Sequence, residues 1–222
     1  MPIPTIQFGS DKPFGDLTGW NYTSASVTTD KERATAADSI GNEVASKLYD
    51  EKISVTASLV AASASAPDVP TEIGAYLGAY ILTSIQISTS RDGFVTMTLT
   101  GHNHAVNPHS GASGEKTVAH GITLASGFGA LDFMEGTAGS NASVRSGTIT
   151  IECQHTDETD ASGDHLVGEN YQPMLTAETE WVGVPTTPAD TGWDVTSKPN
   201  PTENTGFESA SYSGTKALAF TA

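Results

Sequence analysis

Runs in which apolar and polar residues alternate constrain this chain more than any other feature of its sequence. From Lys52 to Val60 (KISVTASLV) every second residue is apolar, which is the period of a strand with one buried face. The segments Ser146 to Cys153 (SGTITIEC) and Tyr212 to Phe220 follow a similar pattern. These runs predict an all-β protein built from antiparallel strands.

The clearest hairpin lies in the first half of the chain. The alternating segments Ile81 to Ser90 and Phe94 to Thr100 flank Arg91-Asp92-Gly93. Asp-Gly favours the positive φ angles of a tight turn, so the two segments are predicted to pair.

One segment has the pattern of a short helix. Between Pro70 and Ile81, the residues Ile73, Tyr76 or Leu77, and Tyr80 repeat at helical spacing, and Pro70 suits a helix start. Two segments are instead rich in Gly, Pro, Ser and Asn. Asn103 to Glu115 is predicted to be a linker and Pro185 to Gly206 a long polar loop.

The two halves of the chain resemble each other in an ordered way. Ile6 to Leu17 matches Ile122 to Leu131, and the acidic segment around Asp38 matches that around Asp164. The turn at Asp92-Gly93 matches Ser213-Gly214. Loose similarity between two Ser/Thr-rich β segments is the alternative, but the common order favours duplication. We predict two similar antiparallel β-sandwich or barrel modules, at 1–105 and 120–222, joined by a linker at 106–119.

Composition excludes several functional classes. The chain of 222 residues has 10 Lys and Arg against 26 Asp and Glu, a net charge of -16. Proteins that grip nucleic-acid phosphates need the opposite balance. A single cysteine, Cys153, excludes a disulfide scaffold. No apolar stretch is long enough for a membrane span and the start lacks a signal-peptide pattern, so we expect a soluble protein.

No catalytic or cofactor-binding pattern stands out in the sequence. His102 and His104, with His109, are the only residues spaced like metal ligands, and no cysteine pair or acidic ligand accompanies them. The acidic residues between Asp157 and Glu169 lack the order of a calcium loop. The sequence also has no phosphate-binding glycine loop or nucleophile elbow. We therefore expect no metal, no cofactor and no enzymatic activity.

The order of predicted elements resembles the tube-forming proteins of phage tails and contractile injection machines. The similarity covers residues 16–102, and residues 144–222 more weakly. It rests on a strand, a long polar loop, a second strand, a short helix and a hairpin, here Trp20 to Thr28, Thr29 to Glu43, Lys52 to Val60, Pro70 to Ile81 and Ile81 to Thr100.

This resemblance implies a structural subunit of a virion tail, made in the host cytoplasm. In that family the long loop reaches neighbouring subunits, and the sheets join into an inner barrel through which DNA passes without specific binding. Thr29 to Glu43 and His155 to Asn170 would be the inter-subunit arms. Their acidic residues would face neighbouring chains or the lumen: Asp30, Glu32, Asp38, Glu43, Asp157, Glu158, Asp160, Asp164 and Glu169.

The implied partners are further copies of this chain and other tail proteins, with no membrane. Family rings are generally sixfold, so a two-module chain would close a ring as a trimer. A carbohydrate-binding or adhesive β-sandwich, with a platform formed by Trp20, Trp181 and Trp193, is an alternative. A capsid decoration or neck protein is another.

Overall fold

The computed structural model describes residues 12–90, 93–104, 116–124, 143–161, 165–182, 193–197 and 209–220. These residues form strands, turns and irregular segments, with no helix among them. The all-β prediction is therefore confirmed. The eleven strands are β1 (Trp20–Ala37), β2 (Glu43–Ala61), β3 (Glu72–Ile73), β4 (Tyr76–Leu77), β5 (Tyr80–Ser90), β6 (Thr96–His104), β7 (Val118–Ala119), β8 (Ser143–Thr159), β9 (His165–Val182), β10 (Asp194–Ser197) and β11 (Ser209–Ala217).

Most strands belong to one antiparallel sheet with the order β1-β2-β6-β5-β8-β9-β11-β10, and β4 pairs with β5 beside this path. One face of the sheet is apolar and buried, as the alternation predicts. β3 and β7 form a small second sheet. The core includes Val55, Leu59, Ile85, Ile87, Met97, Leu99, Ile149, Ile151 and Leu175 from the main sheet, with Phe14, Ile73 and Val118 from the segments around it.

The predicted hairpin is present. β5 and β6 pair from Ser88 with Thr96 to Ile81 with His102. Gly93 lies in the turn, while Arg91 and Asp92 are outside the described residues.

The predicted helix at Pro70 to Ile81 is wrong, because the segment forms β3, β4 and the start of β5. Gly74 and Gly78 have φ angles of 80° and 62°, which a right-handed helix cannot contain. A Cβ atom on Gly78 would lie 2.6 Å from the carbonyl oxygen of Pro13. The glycines thus create turns that fold this segment against the chain before β1.

The duplication predicted from sequence is visible in the strand register. Every pair from Asn21↔Val60 to Ala37↔Glu43 in β1–β2 has an equivalent 122 residues later in β8–β9, from Ser143↔Val182 to Thr159↔His165. The three register shifts of one hairpin also recur in the other at this offset. Since a shift of one residue would turn side chains to the other face, this agreement preserves the buried face in both halves.

The remaining strands repeat at a second constant offset. β5 corresponds to β10 and β6 to β11, each at an offset of 113 residues. β5 pairs with β6 as β10 pairs with β11, and β6 pairs with β2 as β11 pairs with β9. The structure therefore contains a first module (β1, β2, β5, β6) and a second module (β8, β9, β10, β11), each with the same strand order.

The structural offsets correct two sequence matches. Asp38 corresponds to Asp160, not Asp164. Ser213-Gly214 lies inside β11, where it corresponds to Thr100-Gly101 and not to the turn at Asp92-Gly93.

Of the predicted linker 106–119, only 116–119 is described, and its β7 pairs with β3. Within the predicted loop from Pro185 to Gly206, residues Asp194–Ser197 form β10.

Both segments predicted to be long acidic loops are instead the outer parts of long hairpins. β1 continues to Ala37 and β2 begins at Glu43, so only a short turn separates them. In this turn the Oδ1 atom of Asp38 accepts hydrogen bonds from the backbone N–H groups of Ile40 and Asn42. We call residues 31–51 the first arm and the equivalent residues 153–173 the second arm.

Candidate assembly surfaces

The two modules are joined through a continuous strand ladder. β5 of the first module pairs with β8 of the second from Ser84↔Glu152 to Ser90↔Ser146. Ile85 and Ile87 of β5 face Ile151 and Ile149 of β8, and all four side chains are buried. This junction is thus both hydrogen-bonded and apolar.

The second arm extends beyond this ladder and packs on the first module. The imidazole rings of His155 and His102 lie 4.2 Å apart, and those of His165 and His104 are stacked at 4.0 Å. The ammonium group of Lys52 contacts Asp157 Oδ2 at 2.9 Å. Side chains from β2, β6, β8 and β9 therefore meet at one place.

Asn170 fixes the second arm to the segment that contains β7. Its Nδ2 donates to the carbonyl oxygen of Lys116 (3.1 Å), and its Oδ1 accepts from Nδ1 of His155 (2.8 Å). Gly74 lies so close that a Cβ atom there would be 2.6 Å from Asn170 Nδ2. The contact therefore depends on the absence of a side chain at Gly74.

Asp157 is the charged centre of this contact. Burial opposes its ionisation, but hydrogen bonds from His104, His155 and Lys52 outweigh burial and hold the pKa of its carboxyl well below the usual range. Burial, followed by the proximity of His155, lowers the pKa of His102 to about 3. At neutral pH Asp157 is therefore a carboxylate and His102 a neutral imidazole.

The first arm has the same register but, among the described residues, lacks the equivalent buried cluster; its Lys47 Nζ donates to the carbonyl oxygen of Ala161 at 3.5 Å. Its residues are exposed almost throughout. Leu48 has 60% of its surface exposed, whereas Asn170, at the equivalent position, has 1%. The equivalents of His155 and His165 are Arg33 and Glu43, which form an ion pair at 2.5 Å. The first arm therefore exposes a surface whose equivalent on the second arm is buried.

The two edges of the main sheet differ from the strands at the junction. Val27 of the edge strand β1 is half-buried, whereas its equivalent Ile149 is fully buried. Val195 of the other edge strand, β10, is also half-buried, while its equivalent Leu82 is buried. Within the described residues β1 pairs only with β2 and β10 only with β11. An edge strand as long as β1, with 18 residues, can pair with another chain, whereas β10 spans only four residues of the described chain.

The second face of the main sheet is polar across its width. One row of paired residues consists of Ser58, Thr98, Gln86, Thr150, Thr176 and Thr215. A neighbouring row contains Ser88, Thr148, Glu178 and Ser213, and the hydroxyl groups of Ser88 and Thr148 lie 3.1 Å apart. These two rows contain no Lys or Arg, so this part of the face is hydroxyl-rich and weakly acidic; Lys52 lies farther along the same face, where it pairs with His104.

The predicted arm residues fall into two groups. Asp30, Glu32, Asp38, Glu43, Glu158 and Glu169 are exposed, and Asp160 is half-buried. Asp157 instead lies in the junction within the chain, and Asp164 is outside the described residues. That these residues face neighbouring chains or the lumen stays a prediction.

Spacing along the sequence indicates only part of the histidine cluster. It groups His102 and His104 with His109, which lies outside the described residues, whereas the structure adds His155, Asp157 and His165 from the second arm. These three residues are about fifty or more positions away in the chain, so spacing could not reveal them.

Trp20 is not exposed as the predicted platform requires. Trp20 is buried, and its Nε1 donates to the carbonyl oxygen of Asp68 at 2.6 Å. Trp193 is half-buried against the core. Trp181 lies in β9, paired with Val144 and Ala210.

A scan of the sequence finds no matching protein-family model, and a search of curated proteins finds no significant match. The described residues contain no helix capable of crossing a membrane.

Proposed function

We propose that this chain is a structural subunit of a ring or tube around a passage for DNA, as in the tail tubes that its sequence resembles. The observation that carries the proposal is the repeated strand order. Each module ends with the strand type that pairs with the first strand of the next. We therefore expect a junction like β5–β8 to begin at Ser197 of β10, the equivalent of Ser84, and to join it to β1 of another chain. Such head-to-tail interfaces form rings when their rotation closes.

The exposed first arm supports the same arrangement. In the chain, the second arm lies on the first module. Repetition of that junction would place the first arm on the second module of the next chain, where it would cover Leu48. The equivalents of Asp157, Lys52 and His104 are Thr35, Met174 and Ala217. The contact between chains would therefore lack the buried carboxylate and lysine, and the Arg33–Glu43 ion pair would stand where His155 and His165 lie in the junction within the chain.

The strand pairing between β10 and β1 of two chains would be shorter than the β5–β8 pairing within one chain. The chain continues after β10 as Lys198-Pro199-Asn200-Pro201, at positions equivalent to Ile85 through Ser88 of β5. Proline has no N–H group to donate to a ladder. The junction between chains would thus contain fewer backbone hydrogen bonds than β5–β8, and the arm would contribute more of the binding energy.

The polar face is suited to a lumen. Its serine, threonine and glutamine side chains offer no cationic site that would hold DNA phosphates through counterion release. Its glutamates and the net charge of -16 repel phosphate. The opposite face cannot line the lumen because it forms the hydrophobic core.

Three chains would supply the six module positions of a ring. Linking two modules in one chain also halves the number of association events, each of which costs about 4 to 15 kcal/mol in lost translational and rotational freedom. Native mass spectrometry of purified assemblies tests this stoichiometry. We expect a trimer. Six chains per ring would place the second module outside the ring, and a chain that stays monomeric at every concentration would favour the adhesive β-sandwich alternative.

A further inference from the structure

We propose that the junction between the two modules binds a divalent transition-metal ion of the zinc class. Asp157 is the shared ligand, and the imidazoles of His102, His104, His155 and His165 surround it. Two overlapping groups bring three ligand atoms within 4.8 Å of one another: His102, His155 and Asp157, and His104, Asp157 and His165. Imidazole nitrogens with a carboxylate oxygen are ligands that zinc prefers.

The distances around one oxygen atom fit such an ion. His104 Nε2 and His165 Nε2 lie 3.2 Å and 3.4 Å from Asp157 Oδ1. Metal–ligand bonds of about 2.0 to 2.2 Å in a tetrahedron place neighbouring ligand atoms about 3.3 Å apart. Lys52 contacts the other oxygen, Oδ2, whereas the imidazole nitrogens surround Oδ1, with His155 Nε2 the nearest at 2.6 Å.

Buried imidazole atoms provide a second observation. His102 has only 5% of its surface exposed, and its Nε2 is buried without a hydrogen-bond partner among the described residues. A buried ring nitrogen without a partner is costly. A metal ion would satisfy it, since His102 belongs to one of the two ligand groups.

The orientation of His155 is fixed in the way that metal ligands require. Asn170 Nδ2 donates to a backbone carbonyl, so Asn170 Oδ1 faces His155 and accepts from its Nδ1–H. His155 Nε2 lies 2.6 Å from Asp157 Oδ1, a distance that requires either a proton shared with the carboxylate or a metal ion between the two atoms. Outer hydrogen bonds of this type orient metal-ligating histidines.

The cluster is not a requirement of the fold. At the equivalent positions the duplicated register places Arg33, Thr35, Glu43, Thr215 and Ala217, which lack this ligand set. Space for the site also depends on Gly168, because a Cβ atom there would lie 2.8 Å from the His155 ring. Its equivalent is Ser46. The ligands are therefore specific to the junction within the chain.

The test uses the untagged full chain, stripped with a chelator and titrated with zinc against a chromophoric competitor. We expect saturable binding of a single equivalent per chain. Asp157→Asn and His165→Asn should weaken it at least about tenfold. Glu158→Gln removes the neighbouring exposed carboxylate and should leave affinity unchanged. The proposal would be overturned if the unaltered chain did not bind zinc, or bound it no more tightly than Asp157→Asn. The cluster would then be a protonated histidine–carboxylate network.

Two further measurements do not depend on variants that lose ligands. Cobalt bound to the unaltered chain should give the intense visible absorption of a tetrahedral site, and its absence would contradict the proposal. Lys52→Met installs the residue of the equivalent position, keeps every ligand and removes a competing cation. It should bind zinc at least as tightly as the unaltered chain, and weaker binding would contradict the assigned ligands. Neither readout requires ring assembly, so the metal site and the proposed function can fail separately.

Discussion

The two arms have the same backbone register but opposite surroundings. The second arm is held on the first module by Asp157, His155 and Asn170, whereas the first arm is exposed through most of its length. Strand pairing therefore does not decide whether an arm is covered; the presence of a neighbouring module does. This difference indicates where a further module would bind.

The difference also separates folding from assembly. Substitutions in the second arm act on contacts inside one chain, so they should change the stability of the monomer. Substitutions in the first arm act on a surface that one chain leaves exposed. In the proposed ring they should change association and leave monomer stability nearly unaltered.

The largest expected effect is loss of assembly in Leu48→Asp. A charge at this site would have to be buried in the proposed interface, and central interface residues commonly contribute about 2 kcal/mol or more. We expect rings to disappear in analytical ultracentrifugation while the urea midpoint of the monomer stays unchanged. Leu166→Asp is the matched control, because Leu166 is 65% exposed on the second arm. Rings that persist in Leu48→Asp would remove the first arm from the interface.

An exchange of equivalent residues should give the next largest effect. Asn170→Leu removes the hydrogen bonds to Lys116 and His155, and we expect the unfolding free energy to fall by about 2 kcal/mol. The reciprocal Leu48→Asn changes an exposed site and should alter monomer stability by less than about 0.5 kcal/mol. Urea denaturation of both variants measures the difference. Equal losses would show that the arms are not in different environments.

Acid should weaken the segment that holds the second arm. His120 lies in that segment; its Nε2 is 2.5 Å from the carbonyl oxygen of Pro70, and its Nδ1 accepts from the N–H of Ile122. Burial lowers the pKa of His120 below its ordinary value. The unfolded state therefore takes up this proton first, and the stabilisation present above about pH 6.5 is lost as the pH falls.

The contribution of His120 to this loss can reach about 1.4 kcal/mol per pH unit. His120→Gln should flatten the dependence of unfolding free energy on pH below about pH 6.5. A variant with the same pH slope as the unaltered chain would show that His120 does not contribute.

The smallest expected effect concerns salt. Three chains with a net charge of -16 each bring 48 formal negative charges into one ring. Screening acts over about 8 Å at physiological ionic strength and over longer distances in dilute salt. Sedimentation should therefore show weaker assembly at low salt. Assembly that strengthens as salt is removed would indicate that attraction between opposite charges dominates the interface.

Sequence patterns predicted the parts of the fold that burial controls. KISVTASLV, the β5–β6 hairpin and SGTITIEC alternate because one face packs in the core, and all three are strands. The outer arms lack this signal because both of their faces are polar, so pairing across the hairpin makes them strands where the sequence indicated loops. The helix prediction failed because the positive φ angles of Gly74 and Gly78 outweigh a short apolar stripe.

The candidate site was predictable only in part. Asp157 was identified within an acidic arm and His102 and His104 as a spaced pair, but their meeting depends on long-range register between the modules. No local pattern encodes that contact. The duplication was recognised from order alone, and only the strand register gave its constant offsets of 122 and 113 residues.

A cryo-EM reconstruction of the assembled particle tests the central claim most directly. We expect β10 of one chain to pair with β1 of a neighbouring chain. The first arm of that neighbour should lie on the second module of the chain that supplies β10, and the serine- and threonine-rich face should line the lumen. Three chains should complete each ring. A reconstruction in which the first arm remains in bulk solvent and β1 pairs with no neighbouring strand would contradict it.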